Sequence, residues 1–175
     1  MGRYFNTAQI SLANSAFFHA ERLIGDYFRV GQEKIRSHRY DVKTLAFLDE
    51  HEVKQGAFAH LCKYHYQKEE APGEQGFHFY RICLQDDRIL DAVDRAHSFI
   101  KLSPLLLYIA AHELVHVVRF DNGETAFEMT AEEKRQEEEK VHGITRDALQ
   151  SALEPDLKLV LDCFSSRYQL GDFCS

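Results

Sequence analysis

The chain contains no tryptophan, and only three prolines and nine glycines among its 175 residues. So few backbone breakers exclude a collagenous or low-complexity chain, and no Pro/Gly/Ser-rich linker or 20 to 50 residue repeat divides it. The four cysteines, Cys62, Cys83, Cys163 and Cys174, are widely separated and form no C-x-x-C pair. That argues against a disulfide framework or a zinc knuckle and for reduced thiols in the cytoplasm. Positive charge is also scarce. With 21 Lys and Arg against 28 Asp and Glu, the formal charge is −7, so nucleic acid or an anionic membrane would meet repulsion before contact. The one basic cluster, Lys34, Arg36, Arg39 and Lys43, is expected to be a solvated loop. The longest apolar run, 104–118, is 15 residues and carries two His and a Glu, short of the roughly 20 that a bilayer span needs. The N-terminal stretch 10–18 is broken by Ser11, Asn14 and Ser15 and followed by His19, Glu21 and Arg22, which makes a poor signal peptide.

What is present is apolar material for one sizeable core: 45% hydrophobic residues, with 13 Phe and eight Tyr. A single domain over 1–175 is expected, with a helix-plus-sheet part over 1–102 and a helical part over 103–175. Ile10, Ala13, Phe17, Ala20, Ile24 and Phe28 recur at three-to-four residue spacing, which predicts an amphipathic helix over 7–30. The period then changes. Apolar runs at 44–48, 57–66 and 77–84, with Ala71-Pro72-Gly73 as a turn, predict a small antiparallel sheet. His60, His65 and His78 lie in these runs and are expected to be sheet-face residues with ordinary hydrogen bonds.

The remainder reads as helices. A short one is expected over 91–97, and Ser103-Pro104 resembles an N-cap followed by Pro at the first helical position, opening a helix to about Phe120. Asp121-Asn122-Gly123 ends it. Thr130-x-x-Glu133 is a capping-box pattern that opens a helix to about Leu153, and a last helix is expected over 155–165.

Inside the apolar helix stands His112-Glu113-Leu114-Val115-His116, an H-E-x-x-H motif. Four residues are slightly more than one turn, so both imidazoles project from one face about 6 Å apart along the axis and can grip one metal ion. Glu113 points to the side of that pair, able to reach a metal-bound water without competing for the metal. A catalytic zinc normally has three protein ligands and an open position, so a third donor is required. On the next helix Val141, Thr145, Ala148, Leu149 and Ala152 mark the less polar face, and stepping back by three, four or seven reaches Glu138, with Glu137 at the border. The preferred ligands are therefore His112, His116 and Glu138. His142 is the competing third ligand, or else holds a ligand from behind, while Glu137 and Glu139 are expected to be solvated charges. Glu113-x-x-His116 and Glu139-x-x-His142 also suggest a di-iron carboxylate protein, but only a dozen residues lie between the two helices, too few for the further Glu-bearing helix of that architecture.

These motifs resemble the zincin-like metallopeptidases, specifically the gluzincin branch, in which H-E-x-x-H is followed by a ligand Glu on the next helix. The family's second motif is commonly Glu-x-x-x-Asp or Asn, whereas this chain has Glu138-Glu139-Lys140-Val141-His142. The resemblance covers about 103–153 and implies an α+β zincin-like fold: an N-terminal helix, a small antiparallel sheet, the active-site helix, then C-terminal helices. It implies a Zn2+ cofactor and a peptide or protein substrate, hydrolysed by a zinc-bound water with Glu113 as general base. Residues 77–84 are the expected edge strand for the substrate, and Tyr108, Tyr80, Arg81, His78 and His97 are open alternatives for the oxyanion partner. The competing class is an inactive or regulatory protein of the same fold that binds a dedicated partner.

Overall fold

The computed structural model describes residues 2–66 and 76–164; the expected turn at Ala71-Pro72-Gly73 and Cys174 lie outside them. Helix α1 spans Thr7–Tyr27 and opens on a reciprocal capping box between Asn6 and Gln9. Its buried stripe, with Ala13, Phe17, Ala20 and Ile24, is the one its periodicity predicts. The basic cluster is not a loop. Its first half is helix α2, Gln32–Arg36, which buries Ile35 and leaves its charges outward, and the remainder runs into strand β1, Tyr40–Lys43.

Strands β2, Ala59–Tyr66, and β3, Phe77–Leu84, pair antiparallel, with Leu61 opposite Ile82. The sheet as a whole is mixed rather than antiparallel. β1 adds to the other side of β3 in parallel, giving the order β1-β3-β2. Consequently β3 is the central strand, and residues 77–84 are not the edge expected from the sequence. The physical signal was in its burial need: Ile82, Cys83 and Leu84 are successively buried, as in a strand covered on both faces. The run at 44–48 that suggested a strand instead forms a 3-10 turn, Leu45–Phe47, and a second such turn follows at Glu50–Glu52.

Helix α3 occupies Asp86–Arg95, starting five residues before its predicted position. Helix α4, Leu102–Asp121, starts two residues early as well: Lys101 is the N-cap, so Pro104 stands third in the helix, where its missing N–H still costs no intrahelical bond. Its end follows the predicted breaker. Gly123, at φ 72°, sends its N–H to the Phe120 carbonyl, and Glu124 N–H reaches the Arg119 carbonyl, a Schellman closure that needs the left-handed residue. Helix α5, Ala131–Ala148, opens on the Thr130–Glu133 capping box and runs into a 3-10 turn, Leu149–Ala152; α6 spans Pro155–Cys163.

Every residue of α4 from 105 to 120 is buried. A helix that is apolar on all sides must be covered on all sides, and α1, α3, α5, α6 and β2 provide the cover. By length and hydropathy this is also the one described helix able to cross a membrane, yet most of it is enclosed by the rest of the chain. The inner sheet face reaches it through Tyr80, whose ring stacks on Phe120 at 6.5 Å. The result among the described residues is mixed α+β, with a three-stranded sheet and six α-helices, α4 at the centre.

Leu114 lies on that helix between the two motif histidines and is fully buried, whereas Leu159 on α6 is 39% exposed. Leu114→Ala should therefore lower stability by about 2–5 kcal/mol through lost contact and a residual cavity, and Leu159→Ala by no more than about 0.5 kcal/mol. Urea denaturation of the two variants checks this. Similar midpoints would contradict α4 as the core.

Candidate metal centre

Helices α4 and α5 cross so that low numbers on one meet high numbers on the other. Arg119 pairs with Glu137, His116 and His112 with Glu138, and Tyr108 with His142. This antiparallel register follows from a tight closure after α4, a nine-residue connection over 122–130 and a capped start to α5. It carries the Glu138 carboxylate across to both motif histidines. His112 Nε2 is 3.2 Å from Glu138 Oε2, and His116 Nε2 is 3.1 Å from Glu138 Oε1.

The three donor atoms lie within 4.8 Å of one another. Nitrogen and oxygen ligands about 2.0–2.1 Å from a tetrahedral zinc stand about 3.3 Å apart. The two histidine–carboxylate separations are close to that edge although they run to different oxygens of Glu138, so the three side chains converge on one point from which a carboxylate oxygen and both imidazoles could hold an ion. Glu113 supplies a second test. It is fully buried, and neither carboxylate oxygen has a hydrogen-bond partner among the described residues. An isolated carboxylate in such a place is costly by several kcal/mol unless it takes up a proton or faces a cation. Burial pushes the Glu113 carboxyl up from its ordinary value, and nearby His116 and His112 only partly oppose that.

Charge at the other groups follows the same geometry. Burial acts to raise the Glu138 carboxyl, but His116 and the bonds to both histidines outweigh it and hold the group well below the usual carboxylate range. His116 responds in the opposite sense: burial lowers it, and Glu138 raises it further, leaving a net upward shift. Its ring stacks on Phe120 at 5.8 Å and 11°, although its Nδ1 has no acceptor among the described residues.

His142 is not among the three converging groups. Its Nδ1 lies 2.8 Å from the Tyr108 hydroxyl, and its Nε2 is buried without a partner. Burial, then the charge of His112, moves His142 below its ordinary value. Tyr108 itself is raised, first by burial and then by Glu138 and Glu113. It is thus a core residue that also ties α5 to α4. Tyr80 stacks in the core, Arg81 is bonded to Asp41 and Glu52 on the far sheet face, His78 stands beside His65, and His97 occupies a left-handed turn after α3. Of the five oxyanion alternatives, only Tyr108 lies against the motif histidines.

Two acidic residues separate cleanly. Glu139 is exposed and bonded to Arg135, as a solvated charge should be, so the second E-x-x-H pair is not brought to His116. Glu137, expected to be solvated too, is buried and takes a bidentate pair of bonds from Arg119, at 2.5 and 3.0 Å. It lies four residues before Val141 on the covered side of α5, so the helical phase that pointed to Glu138 also contained it. Arg119, the single cation at the end of an apolar helix, was the unused signal.

No protein-family model, curated protein or solved structure matches this chain.

Glu113 gives the chelator-stripped chain a pH dependence with a definite sign. Below the ordinary value of 4.5 its carboxyl is protonated in both folded and unfolded chains and costs nothing. As pH rises past that point the unfolded chain ionises first, and stability falls by up to about 1.4 kcal/mol per pH unit until the folded group ionises. Glu113→Gln removes the effect, so its stability advantage over wild type should widen from pH 4.5 upward toward neutrality. Urea midpoints across that range measure it, and a gap that narrows with pH would show an ordinary carboxylate.

Proposed function

We propose that this chain is a zinc-dependent metallopeptidase of the zincin-like, gluzincin kind, acting on a peptide or protein substrate. The observation that carries the reading is the convergence of His112, His116 and Glu138 beside the buried, unpartnered Glu113. A zinc ion held there would supply Lewis acidity, acidifying a water and polarising a scissile carbonyl.

The chain's own groups supply the rest. His112 and His116 bind through Nε2 and Glu138 through its carboxylate, each aimed by a helix rather than a loop. Glu113 takes a proton at a carboxylate oxygen and returns it to the leaving amine. Its burial-raised proton affinity suits that exchange nearer neutral pH than an exposed glutamate would allow. The Arg119–Glu137 pair and the Tyr108–His142 bond hold α5 in the register that presents Glu138. With β3 central, the described edge on the α4 side of the sheet is β2, which becomes the preferred rail for an extended substrate.

One observation favours a second reading. His112, Glu113 and His116 are 1%, 0% and 1% exposed, and only the Glu138 side chain, at 24%, opens to solvent. A site so enclosed also suits a partner-binding protein of this fold that uses zinc to fix α4 to α5. Substitution separates the two. Under the peptidase reading His112→Ala loses one zinc equivalent and hydrolysis together, Glu138→Ala weakens zinc at least about tenfold, and Glu113→Gln keeps zinc but loses hydrolysis. Chelator competition and peptide-cleavage assays provide the readouts. Partner function that survives Glu113→Gln would favour the second reading, and His142→Ala weakening zinc more than Glu138→Ala would reassign the third ligand.

A further inference from the structure

The sheet face turned away from α4 carries a second set of ligand-type side chains. Alternation along the paired strands puts His60 and Cys62 of β2 on that face with Arg81 and Cys83 of β3, Cys62 opposite Arg81 and His60 opposite Cys83. The segment between β1 and β2 folds over it, and the 3-10 turn at Glu50–Glu52 lowers the fully buried Glu52 carboxylate among them. The two sulfurs and a Glu52 carboxylate oxygen lie within 4.8 Å of one another, and Cys62 Sγ is 3.7 Å from His60 Nδ1. With sulfur about 2.3 Å and nitrogen about 2.0 Å from a tetrahedral zinc, neighbouring ligands stand about 3.5–3.8 Å apart. The thiol–imidazole spacing already has that length.

We propose that Cys62, Cys83 and His60, closed by Glu52, form a second binding site for a thiophilic divalent ion such as zinc, separate from the histidine–glutamate centre. Two thiolates with an imidazole select a soft or borderline metal over magnesium or calcium. A divalent ion with two thiolates and one carboxylate carries −1, and Arg81, 3.1 Å from Glu52 Oε2, offsets part of that charge while it also pairs with Asp41. Tyr64 donates to the same oxygen at 2.5 Å, and the Asp49 N–H to Oε1 at 2.9 Å, so the carboxylate is oriented by outer partners while Oε1 keeps a lone pair. Binding releases the two thiol protons to solvent and turns His60 Nδ1 away from its 3.3 Å contact with the Glu52 carbonyl. The inference does not rest on the peptidase reading, because it uses neither α4 nor α5.

Cobalt(II) separates the two centres, since only this one contains sulfur. The full chain, reduced and stripped by chelator, is titrated anaerobically with cobalt, and the thiolate-to-cobalt charge-transfer absorption in the near ultraviolet is followed. The expected result is a band that saturates at one equivalent, is unchanged in a His112→Ala/His116→Ala variant, is lost in Cys62→Ser and in Cys83→Ser, and shows affinity weakened at least about tenfold in His60→Ala. Because Cys83 is buried, the half-buried Cys62 is the safer variant, and the wild-type titration needs no variant at all. A folded wild-type chain with no such band overturns the proposal, as does a band that survives Cys62→Ser. Rapid formation of a Cys62–Cys83 disulfide that zinc loading does not slow would also overturn it, making the pair a redox couple instead.

Discussion

The buried ion pair between Arg119 and Glu137 is the constraint on which the candidate metal centre depends. Arg119 is the one Lys or Arg of α4, set among Val117, Val118 and Phe120, and α5 is acidic along most of its length. Neither charge is tolerable alone in the seam between them, since removing one partner of a buried pair costs about 3–5 kcal/mol. Together they satisfy each other through two parallel bonds, and that geometry allows one relative position of the helices. Glu138 is the next residue along. A slip of α5 by one turn would keep its apolar residues near the core but would separate Arg119 from Glu137 and Glu138 from both histidines.

Glu113 has no hydrogen-bond partner among the described residues, and the unpartnered ring nitrogens of His116 and His142 lie in the same helix pair, so the unsatisfied polar atoms gather at this one place. The other fully buried glutamate, Glu52, is provided with partners: burial raises that group, but the Tyr64 hydroxyl, the Asp49 N–H and Arg81 outweigh it and hold its carboxyl at about 2. Glu113 keeps both oxygens open beside two imidazoles and pays in stability. Groups held in an unfavourable environment by surrounding structure are characteristic of working sites, because their discomfort is relieved by a proton or a ligand.

Much of this arrangement was legible in the sequence where one local rule sufficed. The Thr130–Glu133 box, the stop at Asn122-Gly123 and the α1 stripe each depend on neighbours a few residues apart, and each lies where periodicity and capping put it. The sheet was less legible. β1 is short and half-buried, so its alternation is weak, while the more apolar 44–48 segment drew the strand assignment although its backbone turns at Leu45–Phe47. Missing β1 left β3 with one neighbour and therefore as a false edge. At the metal centre, 3.6-residue phasing distinguished Glu138 from Glu139 but not from Glu137, which lies 100° away on the same covered side. Only the long-range pairing with Arg119 separates those two, and sequence spacing contains no such information.

Enclosure is the remaining feature to connect with function. α4 buries its motif because the helix is surrounded on every side, so reagents reach the histidines from the α5 side, past Glu138, the one partly open member of the group. Under the proposed reading Glu138 is both ligand and threshold. If α5 moved outward as a unit, the bonds stretched would be Arg119–Glu137 and Tyr108–His142, and the ligand set would lose its carboxylate at the same moment that the site opened. Opening and metal retention therefore oppose each other in this helix pair.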